Sequence, residues 1–299
     1  MNKKNNSAHS ALADVEPNKT KDFVAVTTTP TLVLPRTARL PINRCNLPAD
    51  ILGGLTFQRS PVALELDGVA QFHRGLFSLL DRLDDAQERA HAFTMHMKAS
   101  FYLDEPEQAG YSATSTQRQK ADYLRMMRGW SFDADGREGA ALKGWVESRF
   151  GLLPRHHSAP IRDFSGVAYR RYLEMRATAL YGTNALEAQF DLLYTYCQYE
   201  LARQHPGLTH LSLYRGVNSV DDHETLATLD NKRRVVLFNN LSSFTTNRER
   251  ADEFGDYLLS AQVPLSKVFC YTKLLPGMLQ GEDEYTVIGG LYEVSIAAY

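Results

Sequence analysis

Leu279-Gln280-Gly281-Glu282-Asp283-Glu284-Tyr285-Thr286-Val287-Ile288-Gly289-Gly290 places two carboxylates where an apolar run begins. Tyr285 to Ile288 are strand formers, and the stretch follows a loop opened by Pro276-Gly277. Residues i and i+2 of a strand face one side, so this pattern puts Glu282 and Glu284 over one face. Two adjacent carboxylates can divide labour, one stabilising positive charge and the other taking a proton. Standing alone, a Glu-x-Glu is more often a solvated acidic turn before an edge strand, so its reading depends on what precedes it.

Upstream, Leu211-Ser212-Leu213-Tyr214-Arg215-Gly216-Val217 alternates apolar and polar residues and predicts a strand. Arg215 falls near its end. An arginine there can bond a phosphate in two places, and Gly216 lets a ligand come close to the backbone. The ordinary alternative is a surface arginine. Arg234 to Asn247 then passes from an apolar strand into Ser242-Ser243-Phe244-Thr245-Thr246, hydroxyls around one aromatic. Turn and cap chemistry explains such clusters most often. Asn247 caps a predicted helix over Arg248–Phe254.

These pieces lie in a β-rich region of predicted strands at 211–217, 235–244, 257–263, 267–272, 284–288 and 291–296. Before residue 208 the periodicity is helical. Val69, Phe72, Leu76, Leu79, Leu80 and Leu83 share one face. Further helices are predicted at 86–102 (opened by Asp84-Asp85), 121–129, 140–150, 163–180 and 186–204. Residues 41–61, 104–118 and 154–160 read as loops, and Phe23–Leu34 as an extended arm interrupted by prolines. Three regions are expected: a disordered leader at 1–21, a mainly helical part at 22–207 and a β-rich part at 208–299, the last two forming one compact unit. The fold class is α+β.

Composition narrows the function. With 33 Lys+Arg against 35 Asp+Glu, the net charge of −2 gives no global case for nucleic acid. Cys45, Cys197 and Cys270 are far apart, which suits reduced thiols in a cytoplasm and not a disulfide scaffold or zinc site. No apolar run approaches a membrane span, and the polar first residues lack a signal-peptide core. The chain has no Gly-x-Gly-x-x-Gly, Walker, His-Glu-x-x-His or Gly-x-Ser-x-Gly motif. His91 and His96 are poorly spaced for a metal, and His156-His157 read as surface residues. No metal site is expected. Lys232-Arg233-Arg234 reads as a solvated strand entry.

In order, a strand arginine, a hydroxyl-rich strand end and a Glu-x-Glu resemble the arginine-directed mono-ADP-ribosyltransferases of the Arg–Ser–Glu type. Tyr214-Arg215-Gly216 looks like their first motif, Ser243-Phe244-Thr245-Thr246 their second and Glu282-Asp283-Glu284 their third. The second departs from the usual Ser-Thr-Ser, with Thr245-Thr246-Asn247 in its place. Arg44-Cys45-Asn46-Leu47-Pro48, Leu52-Gly53-Gly54-Leu55-Thr56-Phe57-Gln58 and the run Asn240–Phe254 resemble, more narrowly, the dinitrogenase reductase ADP-ribosyltransferase family, over nearly the whole chain after about residue 20.

The resemblance implies an ADP-ribosyltransferase-like core and NAD as substrate. By motif position, Glu284 stabilises the cation-like ribose carbon. Glu282 orients the acceptor arginine and takes its proton, which a protonated guanidinium needs before it can act as a nucleophile. Arg215 holds the pyrophosphate, Gly216 lies by the nicotinamide amide, and a hydroxyl of Ser243, Thr245 or Thr246 orients Glu284. The loop from Lys273 to Gly281, with Leu274, Leu275 and Met278, lies where such enzymes meet their target; a buried hairpin turn is the equal alternative. The resemblance also implies the nitrogenase iron protein as target and a nitrogen-signalling PII protein as regulator. Two alternatives stand beside this reading: an NAD glycohydrolase or a transferase with another acceptor, and an inactive NAD-binding relative.

Overall fold

A computed structural model describes residues 32–105, 108, 122–181, 183, 185–275, 278 and 283–298. The leader expected at 1–21 and all but the end of the arm at 23–34 lie outside these residues, as does Glu282.

The described part opens with two short helices, α1 (Ala49–Leu52) and α2 (Leu55–Arg59), where the sequence pattern predicts a loop. Segments of four and five residues carry too little periodicity to register. Pro48, extended at φ −60° and ψ 148°, leads into α1, and Gly53-Gly54 separates the pair. Leu52 and Leu55 are fully buried, and the Gly53 carbonyl accepts from the Leu291 amide at 2.8 Å.

The predicted helical face at 69–83 is two pieces, α3 (Val69–Phe72) and α4 (Arg74–Leu80), broken at His73. Asp85 caps α5 (Ala86–Phe101), its Oδ1 accepting from the amides of Gln87 and Glu88. Asp122 caps α6 (Tyr123–Phe132) in the same way through the Arg125 amide. Tyr123, Met126, Met127 and Trp130 fall at i, i+3, i+4 and i+7 and are all buried. The helical part closes with α7 (Arg137–Phe150), α8 (Val167–Leu180) and α9 (Leu186–Gln204). Ion pairs brace it internally. Arg149 of α7 forks onto Asp191 of α9 at 2.7 and 2.9 Å, and Arg89 of α5 onto Glu200 of α9 at 2.6 and 2.9 Å.

Six antiparallel strands follow: β1 (His210–Val217), β2 (Glu224–Thr228), β3 (Arg233–Thr245), β4 (Tyr257–Pro264), β5 (Val268–Tyr271) and β6 (Glu284–Ala298). The short helix α10 (Arg248–Asp252), capped by Asn247, joins β3 to β4. The order is β2-β3-β1-β4-β6-β5, with β3 also paired to β6. The two strands predicted at 284–288 and 291–296 are one, carried through Gly289-Gly290, where Gly290 takes φ +119°. β2 was not predicted; its half-exposed Glu-Thr-Leu-Ala-Thr lacks an apolar run.

β3 and β6 run together from Arg233↔Ser295 to Thr245↔Glu284, with a bulge between Phe238 and Leu241. β1 and β3, by contrast, meet at one pair, Tyr214↔Thr245. Beyond that pair they part, and the gap opens a cleft. Behind the sheet, α9 packs on β5: Gln198 donates to the Val268 carbonyl at 2.7 Å, and Tyr194 donates to the Ser266 carbonyl at 2.8 Å. Trp145 of α7 lies against Phe269 of β5 at 4.7 Å between ring centres, so helices and sheet share one hydrophobic core.

Candidate active site

The cleft has a volume of about 710 Å3. Arg215, Gly216 and Val217 form one wall, and β3 from Leu237 to Ser243 contributes the other. The end of α6 and the loop after α7 complete it.

Glu284, at the first position of β6, is not itself among the lining residues but bonds to Ser243 and Trp130, which are. Thr272 fixes its backbone on both sides: the Glu284 amide donates to Thr272 Oγ1 at 2.9 Å, and the Thr272 amide donates to the Glu284 carbonyl at 2.9 Å. The carboxylate receives three donors. Ser243 Oγ reaches Oε1 at 2.6 Å, Trp130 Nε1 reaches the same oxygen at 3.2 Å, and Ser131 Oγ reaches Oε2 at 3.0 Å. Among the described residues it has no ion pair. A carboxylate has about four accepting positions, so one remains, on Oε2.

Arg215 is joined to the same group indirectly. Its Nη1 donates to the Ser243 carbonyl at 2.7 Å, while its Nε is buried without a partner. Burial pushes the guanidinium's pKa below the ordinary arginine value, and the charge of Glu284 opposes that shift. An arginine at a cleft wall with no carboxylate bonded to it is suited to an incoming anion.

Of the hydroxyls left open by sequence, Ser243 is the one bonded to Glu284. Thr245 Oγ1 accepts the Asn247 amide at 3.1 Å, and Thr246 is exposed. Gly216 lines the cleft, but the group that comes closest to it is the Ala251 carbonyl of α10, where a Cβ would clash. Leu274, Leu275 and Met278, which the sequence left as either target-facing or part of a buried turn, are buried.

Several cleft residues lacked any sequence signal. His223 lines the cleft with Nε2 buried and unpartnered, its ring edge-on to Phe238 at 4.8 Å. Burial, with Arg215 and His156 nearby, pulls its pKa down to about 3, so it is neutral. Lys143 is buried and donates to Asp135 at 2.7 Å and to the His156 carbonyl at 3.1 Å. Burial lowers its pKa and Asp135 resists. His157, read from sequence as a surface residue, is 1% exposed beside Lys143. Burial and that cation lower its pKa to about 4. Arg155 and Arg162 also line the cleft, both paired with Glu224, at 2.7 and 3.8 Å, and so add no net positive charge of their own; exposed Phe132 and Phe254 line it too. Trp130 and Ser131 were missed because the helical periodicity fades at Gly129, three residues before α6 ends at Phe132. No group of three or more metal-ligating side chains occurs among the described residues.

The sequence model of the dinitrogenase reductase ADP-ribosyltransferase family matches residues 42–296. The NAD(+)–dinitrogen-reductase ADP-D-ribosyltransferase of Rhodospirillum rubrum is 42% identical over 257 residues, spanning 84% of this chain and 93% of that one. No solved structure matches the chain. The chain therefore belongs to the dinitrogenase reductase ADP-ribosyltransferase family. Among the described residues no helix is long and apolar enough to cross a membrane.

Proposed function

We propose that this protein transfers ADP-ribose from NAD to an arginine of the nitrogenase iron protein and so switches that protein off. Family membership supports the reaction, and the name of the Rhodospirillum rubrum relative supports the target. The observation that carries the assignment to particular residues is the linkage Arg215–Ser243–Glu284, which joins three strands at one cleft.

In this reading Arg215 binds the pyrophosphate, and Gly216 lines the nicotinamide end. As the bond from nicotinamide to ribose breaks, the ribose carbon becomes cation-like and nicotinamide leaves with the bonding electron pair. Glu284 accepts a ribose hydroxyl and stabilises that charge more in the transition state than in the ground state. Ser243 holds Glu284, and Thr245 and Thr246 shape the strand end around it. The target guanidinium nitrogen then bonds to the ribose carbon, and Glu282 takes the proton it releases. A PII protein as regulator and a cytoplasmic location rest on the family resemblance. The helical and β-rich parts act as one unit, with the catalytic motifs on the latter and the end of α6 and the loop after α7 completing the nucleotide cleft.

The test is incubation with labelled NAD and nitrogenase iron protein, wild type beside Glu284→Gln. Label on an iron-protein arginine, absent with the variant, is expected. Nicotinamide release without labelled protein would overturn the acceptor, and full activity in Glu284→Gln would overturn the site.

A further inference from the structure

We infer that α6 belongs to the catalytic apparatus: Trp130 and Ser131 are positioning residues that hold the Glu284 carboxylate ready for the ribose. The inference rests on the reading that Glu284 is the catalytic carboxylate.

The hydrogen bonds have a fixed direction. The Trp130 indole can only donate. It lies 3.0 Å from Ser243 Oγ as well as 3.2 Å from Glu284 Oε1. Ser243 has one proton, and an acceptor at 2.6 Å to receive it. Donation from Trp130 occupies a lone pair of Ser243 and turns the hydroxyl proton toward Glu284. The chain therefore runs Trp130 to Ser243 to Glu284, with each donor directed at the one carboxylate.

Burial of Trp130 alone does not account for this arrangement. A buried indole needs one acceptor, and Ser243 would suffice. Ser131 is exposed and has water available, yet its hydroxyl is 3.0 Å from the other carboxylate oxygen. Two successive residues thus address the two oxygens of one carboxylate, setting both its rotation and its tilt.

The platform is rigid. Asp122 caps α6, the Tyr123 amide donates to Gln189 on α9 at 3.0 Å, and the Lys143 ammonium stands 5.9 Å from the centre of the Trp130 ring. Together these contacts leave the open lone pair of Oε2 as the position for the ribose hydroxyl.

The experiment measures kcat and KM for NAD, by nicotinamide release, in the full-length wild type, Trp130→Phe, Ser131→Ala, Ser131→Thr and Glu284→Gln. Trp130→Phe and Ser131→Ala should each lower kcat about tenfold while KM stays within twofold, and Ser131→Thr should restore most of the loss. Ser131→Ala alters an exposed side chain, so it tests the idea even if Trp130→Phe folds poorly. Wild-type kcat in Ser131→Ala and in any folded Trp130→Phe, with Glu284→Gln inactive, would overturn the inference and leave the catalytic reading standing. A raised KM at unchanged kcat would also overturn it. Activity in Glu284→Gln would remove the catalytic reading itself, and this inference with it.

Discussion

Ser243 and Glu284 are hydrogen-bonded at 2.6 Å although the strand register sets Thr245, not Ser243, opposite Glu284. The contact is diagonal, two residues along β3, a separation that a long side chain spans. Ser243→Ala should therefore reduce NAD turnover about tenfold, the cost of one charge-assisted donor. Thr246→Ala, whose exposed hydroxyl is not the one bonded to Glu284, should reduce it less. Steady-state nicotinamide release on the two variants checks this, and equal losses would discard the diagonal contact as the functional one.

Arg215 acts in two directions, donating to the Ser243 carbonyl and presenting an unpartnered Nε. Arg215→Lys keeps the charge but loses the planar fork. The expected result is a KM for NAD raised about tenfold with a smaller change in kcat, read by the same assay.

The Arg89–Glu200 pair ties α5 to α9 with both side chains almost wholly inaccessible. Glu200→Ala leaves a buried guanidinium with only the Leu83 and Asp84 carbonyls to accept from it and should cost about 3 kcal/mol of stability. Chemical denaturation of wild type and variant measures this. Glu200 lies outside the cleft, so turnover by the folded fraction should be unaffected.

Lys267 is buried over the rings of Phe57 and Tyr292, donating to the Gly289 carbonyl at 2.5 Å, and burial lowers its pKa from 10.5 to about 7. Above pH 10.5 neither the folded nor the unfolded chain holds this proton. Between 10.5 and about 7 the unfolded chain takes it and the folded chain does not, so Lys267 lowers stability as pH falls, by about 1.4 kcal/mol per unit. Below about 7 both hold it and the penalty is constant. Lys267→Met should be more stable than wild type at neutral pH, with the gap closing toward pH 10.5. Denaturation midpoints across that range decide it, and a gap independent of pH would refute it.

The strands were legible because their apolar runs are long: the predicted 235–244 and 257–263 fall within β3 and β4. Arg215 and Glu284 drew notice because each stands at the end of such a run, and Ser243 only together with Thr245 and Thr246. What sequence did not show has two physical causes. Short helices such as α1 and α2 are held by tertiary contacts, including the Gly53 carbonyl on β6, and not by their own periodicity. Trp130, Lys143 and His223 reach the cleft across long sequence separations, and nothing local to them marks that destination. Trp130 and Glu284 are 154 residues apart.

Thr272 holds the backbone of Glu284, while Ser243, Trp130 and Ser131 hold its carboxylate. In terms of inheritance, these groups form a linkage group split across the chain. Recombination between two relatives near residue 207 would preserve every helix and every strand, yet join one parent's indole to the other's glutamate. Where the parents differed at either end of these contacts, the chimera would set its carboxylate askew. In this chain the helical and β-rich parts are thus coupled through a single carboxylate as well as through their common core.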